Sequence, residues 1–470
     1  MRRVLGVLLG FLALAAPAQA GGPFMAVGAA EDVGKQQDYA FAKLQMIKAR
    51  LVGLDTVRVT QVWKTGQTKL GPIDAIELGN AVDAAQFAGV RVILSLYPLG
   101  SSVTPLTDED RADFAAFAVD VASRFPFVKD FIVGNEPNLN RFWMPQYGPQ
   151  GEDLAAPAYV SLLATAYDAL KQVRPRSTIY GGALAPRGVD KPGTGRDTHS
   201  PTTFIPDMGA AYRASGRLVP LMDAFAFHPY GENSQTPPDF AHPLSTSIGL
   251  ADYAKLVSLL GQAFDGTAQR GSTLPIVYDE YGVETTLPPA KAPLYAGAEP
   301  TTTRPTDEAT QARYYQEAMS MAFCQPTVIG LLLFHVQDEP ALGAWQSGQF
   351  YVDGTPKTSL AAVRAATQTV RRGTAARCEG LQLTPNVALK IGTRLGHGVK
   401  VTLTCSIDCA YTITVDGRRP LRGTAVGGIP RTVALRWKLQ PGPHTVTVSG
   451  LATLNVGPPG TISRRFTAGR

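Results

Sequence analysis

The sequence predicts an α/β fold, a closed (β/α)8 TIM barrel, followed by an antiparallel β-sandwich. From Phe24 to about Ala366, eight short apolar runs alternate with longer amphipathic stretches. Parallel strands need long return connections, so this alternation indicates parallel strands joined by helices. A doubly wound sheet has the same alternation, but eight units over roughly 340 residues fit a barrel better. After Arg371 the helical periodicity stops and β-branched alternation begins, which predicts a second domain.

The predicted barrel strands are short and apolar, as buried parallel strands are. One helix has a clear start, because Thr107-Asp108-Glu109-Asp110 resembles a capping box. The predicted strands are Phe24–Val27, Thr56–Thr60, Val90–Leu96, Phe131–Val133, Thr178–Gly182, Ala224–Phe227, Ile276–Tyr278 and Val328–Phe334. The clearest helical stretches between them are Asp38–Leu51, Asp110–Phe125, Tyr159–Val173, Ala251–Phe264 and Thr306–Phe323.

The domain boundaries follow from the change in pattern. We expect the barrel to occupy residues 21–372 and the sandwich residues 378–470. Turn residues such as Asp416-Gly417 and Pro441-Gly442 separate the alternating runs of the second domain. The predicted sandwich strands are Val399–Leu403, Thr412–Val415, Val433–Trp437 and Thr445–Val448.

Residues 1–20 have the features of an export signal peptide. Arg2 and Arg3 precede an apolar run, Val4–Ala16, and Ala18-Gln19-Ala20 is a typical cleavage motif. The run is shorter than the roughly 20 residues of a membrane span, so we expect a secreted or otherwise extracytoplasmic protein. The net charge of +6 includes both arginines, and the basic residues form no run. We therefore expect no nucleic-acid partner, and no membrane partner after signal cleavage.

The cysteines indicate disulfides in an oxidising compartment. The spacing favours Cys324 with Cys378 and Cys405 with Cys409, although four cysteines allow three pairings. A zinc site is the alternative, but the sequence has neither C-x-x-C nor H-E-x-x-H. No nucleotide-binding glycine motif and no G-x-S-x-G occurs either. We therefore expect no metal and no cofactor.

Two predicted strands end in glutamate, in Phe131–Asn138 and in Pro275–Gly282. Glu136 and Glu280 would then both lie at the carboxyl ends of barrel strands, where α/β barrels build their active sites. Two facing carboxyl groups are what hydrolysis of a glycosidic bond requires: one protonates the leaving group and the other attacks or activates water.

The segment Gly134-Asn135-Glu136-Pro137, and its continuation to Trp143, resembles the strand-four signature of clan A glycoside hydrolases, and most of all family 39, with family 5 as the alternative. The resemblance covers residues 24–366 in layout. It implies a retaining hydrolase in which Glu136 is the acid/base, Asn135 contacts the sugar 2-hydroxyl and Glu280 is the nucleophile. Arg58 resembles the arginine of strand two, which would keep the nucleophile ionised. His228 and Tyr230 resemble the polar and aromatic residues that follow strand six.

The sequence departs from family 39 at Gly134, where a tryptophan is common, and at the end of strand eight, which lacks a tryptophan. On strand seven, Asp279 and Glu284 compete with Glu280, although Asp279 would point to the other side of an extended strand. Trp63, Trp143 and Trp345 follow predicted strands, so each is a candidate for stacking on sugar rings, with burial in the core as the alternative.

The predicted function is hydrolysis of O-glycosidic bonds in an oligosaccharide, polysaccharide or glycoside through a covalent glycosyl-enzyme. One alternative is a carbohydrate-binding barrel without turnover; another is a transglycosylase on the same scaffold. The sequence names neither the sugar nor the linkage.

Overall fold

The computed structural model describes residues 21–395 and 398–468. The predicted export signal lies outside the described residues.

Eight parallel strands, paired in sequential order from β1 to β8, close into a barrel. Strand β8 pairs with β1 over five consecutive residues, Ala26 to Ala30 on β1, which completes the closure. The predicted fold class is confirmed. The strands are β1 Ala26–Ala30, β2 Thr56–Trp63, β3 Arg91–Pro98, β4 Asp130–Val133, β5 Thr178–Leu184, β6 Ala224–Phe227, β7 Ile276–Tyr281 and β8 Val328–Phe334.

A helix follows each barrel strand. The predicted capping box is present, since the Thr107 hydroxyl accepts from the Asp110 backbone N–H and the Asp110 carboxylate accepts from that of Thr107. The helices are α1 Tyr39–Val52, α2 Pro72–Ala88, α3 Asp108–Arg124, α4 Ala155–Val173, α5 Pro201–Ala214, α6 Tyr253–Phe264, α7 Glu308–Phe323 and α8 Leu360–Arg371.

The first strand lies two residues later than predicted at its start and three later at its end. Pro23 belongs to a short 3-10 turn, Gly22–Phe24, that precedes β1. Gly28, which ordinarily weakens a strand, is here inside β1. A Cβ at this position would lie 2.4 Å from the Thr56 carbonyl oxygen, so only glycine allows the close approach of β1 to β2.

The main core lies between the barrel strands and the ring of helices. A separate, smaller cluster fills the barrel interior, so the barrel is packed and side chains reach open space only at its ends. The interior cluster is Ile93, Ile132, Tyr180, Ala183, Ala224, Ala226, Val277 and Leu332.

The C-terminal region forms two antiparallel sheets, one in the order β13-β10-β9 and the other in the order β12-β11-β14-β15. The three strands that the sequence pattern did not predict, β9, β12 and β15, are all at sheet edges. Edge strands carry exposed charges such as Arg422 and Arg465, which interrupt the apolar alternation. The strands are β9 Val387–Leu395, β10 Gly398–Cys405, β11 Cys409–Val415, β12 Arg418–Ala425, β13 Arg431–Leu435, β14 Gly442–Ala452 and β15 Gly460–Ala468.

Both favoured disulfides, Cys324–Cys378 and Cys405–Cys409, are present. All four cysteines are therefore unavailable to a zinc ion. The first disulfide ties the end of α7 to the segment that leads into the sheets. An ion pair between Arg372, at the end of α8, and Asp408, between β10 and β11, also joins the barrel to the sheets. In the part of the chain that the structure describes, no helix is both long enough and apolar enough to cross a membrane.

Candidate active site

A cleft of about 630 Å³ opens at the carboxyl ends of the barrel strands. Residues at or just beyond the ends of all eight strands line it, and Glu136 and Glu280 both face into it. No described residue beyond Trp345 lines the cleft, so the C-terminal sheets take no part in its walls. Residues that show the contribution of each strand, from β1 to β8, are Ala30, Arg58, Tyr97, Glu136, Ala185, Tyr230, Glu280 and Phe334.

An unusual backbone turn after β4 places Glu136. Gly134 has φ +98°, and a Cβ there would lie 2.7 Å from the Tyr159 ring. A larger residue at position 134 would therefore require the Tyr159 ring to move. Glu136 itself has φ +41°, which non-glycine residues rarely adopt. Its N–H donates to the Ala183 carbonyl at 2.8 Å, so the neighbouring strand β5 holds the turn in place.

Glu280, on β7, is held by two donors. Arg58 Nη1 donates to one carboxylate oxygen, and the Tyr230 hydroxyl donates to the other at 2.9 Å. Burial alone would raise the pKa of Glu280. The charges of His228 and Arg58, together with the hydrogen bonds from Arg58 and Tyr230, instead hold this pKa below its ordinary value. Glu280 is therefore ionised at neutral pH, which is the state a nucleophile needs.

Arg58 is itself fixed by three neighbours. Nη2 donates to Asn135 Oδ1 at 2.9 Å and to Ser95 Oγ at 3.3 Å, and Nε lies 3.6 Å from the Asp279 carboxylate. Asp279 is fully buried beneath the cleft, where it contacts Arg58 and the His228 ring, and it does not line the cleft. Of the two adjacent carboxylates on this strand, only Glu280 reaches the cleft.

His228 lies beneath the cleft and connects the two strand-end glutamates. Its Nδ1 lies 3.0 Å from a Glu136 oxygen and 3.5 Å from a Glu280 oxygen, and its Nε2 lies 3.3 Å from Asp279. Burial alone would lower the pKa of His228, but the surrounding carboxylates raise it to about 10. The ring is therefore charged at neutral pH and donates from both nitrogens. It is fully buried and is not among the residues that line the cleft, but it lies close to Glu280, as the resemblance implies.

One oxygen of Glu136, one oxygen of Glu280 and a ring nitrogen of His228 lie within 4.8 Å of one another. This spacing also suits a metal ion. However, Arg58 and Tyr230 already bond both oxygens of Glu280, and a charged His228 has no lone pair to offer. All three groups therefore already have partners within the protein.

Glu284, the other alternative to Glu280 that the sequence offers, lines the cleft beyond the end of β7. It accepts a hydrogen bond from the Gln346 backbone N–H at 3.2 Å. Burial raises its pKa to about 7. The charge of Lys357 offsets this rise only in part, whereas Arg58 and His228 hold the pKa of Glu280 below its ordinary value.

The three candidate tryptophans separate into one cleft residue and two core residues. Trp345 lines the cleft and packs against Tyr230, with ring centroids 5.0 Å apart. Trp63 is fully buried edge-on to Phe114, and its Nε1 donates to Gln67 O. Trp143 is buried edge-on to the Tyr159 ring. Both pack into the helix layer, which favours the alternative of burial in the core for these two tryptophans.

The cleft also contains polar residues that the sequence reasoning did not select. Glu31, Tyr97 and His335 each lie at or directly after the end of a barrel strand, and that position is the signal that would have found them. Arg141 and Arg187 lie farther along the loops that follow β4 and β5, where strand position gives no such signal.

No protein-family model matches the sequence, and no curated protein matches it. Among solved structures, GH5_18 from Streptomyces cattleya in complex with GlcNAc is similar to 78% of this chain over 84% of its own, with 16% identity and a TM-score of 0.51. A variant of the same protein in complex with Manβ1-4GlcNAc gives 17% identity, coverage of 77% and 85%, and a TM-score of 0.50. Similarity at this level shows a shared fold.

β-Glucuronidase 2 from Bacteroides uniformis matches 95% of this chain with 13% identity and a TM-score of 0.43. This chain spans only 46% of that protein. The likeness at this score adds nothing to the fold assignment.

Proposed function

We propose that this protein is a retaining glycoside hydrolase that acts through a covalent glycosyl-enzyme. The observation that carries the proposal is the pair of cleft glutamates, whose nearest oxygens lie within 4.8 Å. Retaining enzymes hold their two carboxyl groups about 5–5.5 Å apart, whereas inverting enzymes hold them about 6.5–9.5 Å apart to admit a water molecule. The geometry supports retention.

In the first step, a Glu280 oxygen attacks the anomeric carbon while Glu136 gives its proton to the departing glycosidic oxygen. The carbon–oxygen bond to the leaving group breaks as the ester bond to Glu280 forms. In the second step, ionised Glu136 removes a proton from water, the water oxygen attacks the anomeric carbon, and Glu280 leaves as a carboxylate. Arg58 and Tyr230 stabilise that carboxylate before and after the ester exists.

His228 is a positioning residue in this scheme. It holds Glu136 through Nδ1 and is itself held by Asp279 through Nε2. Loss of the negative charge on Glu280 in the ester removes one of the charges that keep His228 protonated. Formation of the intermediate thereby changes the electrostatic surroundings of Glu136 at the moment its role changes from acid to base.

Membership of clan A, and of family 39 in preference to family 5, remains part of the proposal. It rests on the Asn135-Glu136-Pro137 motif at the end of β4 together with Glu280 at β7. We also propose that the protein is exported, which the two disulfides support because such bonds persist in oxidising compartments. Asn135 and Trp345 line the cleft as sugar contacts would.

The test is hydrolysis of a panel of aryl glycosides and polysaccharides by the wild type, Glu136→Gln and Glu339→Gln. Glu339 is a matched control, because it is a carboxylate in the same cleft that takes no part in the scheme. We expect turnover by the wild type and Glu339→Gln and a large loss in Glu136→Gln. Sugar binding without turnover of any member would favour a binding protein instead. Transfer to added sugar acceptors in place of water would favour a transglycosylase.

A further inference from the structure

The acidic and basic side chains that line the cleft differ in whether they have partners within the protein. Each of the seven carboxylates in the cleft accepts at least one hydrogen bond from the protein, or contacts a histidine ring nitrogen at hydrogen-bond distance. The seven are Glu31, Asp32, Glu136, Glu232, Glu280, Glu284 and Glu339.

Two of the three arginines in the cleft have no carboxylate partner. Arg58 bonds Glu280, but Arg141 and Arg187 have no carboxylate within 4.0 Å among residues 21–395 and 398–468. Arg187 is partly buried, and the hydrogen bond found for its guanidinium is one from Nη2 to the Gly231 carbonyl at 2.7 Å. Burial lowers its pKa, and the charges of Glu232 and Glu136 only partly offset this effect.

Arg141 and Arg187 lie on one side of the cleft. Arg141 follows β4 and Arg187 follows β5, and these strands are neighbours in the barrel. Glu136, at the end of β4, is one of the charges that act on Arg187, which follows the neighbouring strand β5. Because Glu136 faces the leaving group in the proposed reaction, the same proposal places Arg187 on the leaving-group side.

A guanidinium that is partly removed from water and has no anionic partner is a ready site for an anion, because its fork of donors matches planar or tetrahedral oxyanions. We propose that the β4–β5 side of the cleft binds an anionic sugar, through a carboxylate or sulfate group held mainly by Arg187 and secondarily by Arg141. The leaving-group placement rests on the proposed function. The preference for an anionic sugar does not.

The test is binding of free glucuronic acid, glucose 6-sulfate and glucose to the full-length mature protein, by calorimetry or saturation-transfer NMR. Free monosaccharides contain no glycosidic bond, so the readout is independent of hydrolysis. We expect at least one anionic sugar to bind about fivefold or more tightly than glucose, which is the range of one partly exposed charge-assisted hydrogen bond. Comparing the two anionic sugars distinguishes a carboxylate site from a sulfate site. The preference should weaken as NaCl rises.

Three variants sharpen this test. Arg187→Gln should remove most of the preference, and Arg187→Lys should keep part of it. Arg436→Gln, which removes an exposed arginine directly after β13, should leave the preference unchanged. Circular dichroism and Tm establish that each variant is folded. Equal affinity for glucose and the anionic sugars, a preference that survives in Arg187→Gln, or no detectable binding of either anionic sugar would overturn the proposal. Hydrolysis of neutral glycosides alongside any of these results would leave the proposed function standing.

Discussion

Glu136 and Glu280 line the same cleft, but the barrel surrounds them differently. Glu280 is held at both oxygens, by Arg58 and by Tyr230. Glu136 has one side-chain partner, the His228 ring, and stands on a turn with a positive φ. A carboxylate bonded at both oxygens by donors is fixed in its ionised form, whereas one with a free oxygen can exchange a proton. In the proposed reaction this difference fits attack by Glu280 and proton transfer by Glu136.

The largest effect is expected at Glu280. Glu280→Ala should lower kcat by about 10⁴-fold or more, because it removes the group that forms the intermediate. Azide or formate should restore activity and give a product of inverted configuration, since the small anion attacks directly from the vacated side. Glu284→Gln is the control from the same part of the chain and should lose far less. Comparable losses in both variants would contradict the separate assignment of Glu280.

Replacement of Glu136 should have a smaller effect that depends on the substrate. Glu136→Ala should lose about 10²–10⁴-fold on substrates with poor leaving groups and much less on activated aryl glycosides, because those need little proton assistance. With azide it should give a product of retained configuration, formed on the covalent intermediate. Product NMR measures both outcomes. Inversion in this rescue, together with retention in Glu280→Ala, would mean that the two roles are exchanged.

Trp63, at the end of β2, and Trp345, in the loop after β8, allow a comparison of a packing role with a binding role. Trp63→Ala should lower the free energy of unfolding by about 3–5 kcal/mol, because it empties a fully buried site. Trp345→Ala should cost about 1–2 kcal/mol and mainly raise KM, because that ring is partly exposed in the cleft. Denaturant melts and steady-state kinetics separate the effects. A raised KM in folded Trp63→Ala of the same size as in Trp345→Ala would show that burial does not distinguish them.

The smallest and most specific effect concerns pH. The pKa of His228 is raised from 6.5 to about 10. Its contribution to stability is therefore fully present below pH 6.5 and is lost as pH rises through about 10. The Tm difference between the wild type and His228→Gln should be largest near pH 6 and shrink toward pH 10. A difference that stays constant over this range would contradict a charged His228.

Strand-end position predicted much of this site from sequence. Glu136, Glu280, Arg58 and Tyr230 all line the cleft because the carboxyl ends of parallel strands meet on one face. Position along a strand does not reveal the direction in which a side chain points where the strand ends in a turn. For this reason the sequence did not show that Trp63 packs into the helix layer or that His228 lies beneath the cleft.

Other features depended on contacts between distant residues. The Thr56 carbonyl approaches β1 so closely that only glycine fits at position 28. The Tyr159 ring leaves no room for a side chain at position 134. The edge strands β12 and β15 carry too many exposed polar residues to show a clear alternation. Arg141 and Arg187, on the loops after β4 and β5, could be recognised as lacking a carboxylate partner only from the assembled cleft.

The most direct test of the difference between the two glutamates is to trap the intermediate. A panel of 2-deoxy-2-fluoro glycosides with good leaving groups should inactivate the enzyme by slowing breakdown of the glycosyl-enzyme more than its formation. Peptide mass spectrometry should then find the sugar on Glu280, and Glu136→Gln should still be labelled at Glu280 by the most activated members. A label on Glu136 or Glu284, or turnover of the parent glycosides with inverted first product and no label, would contradict the account.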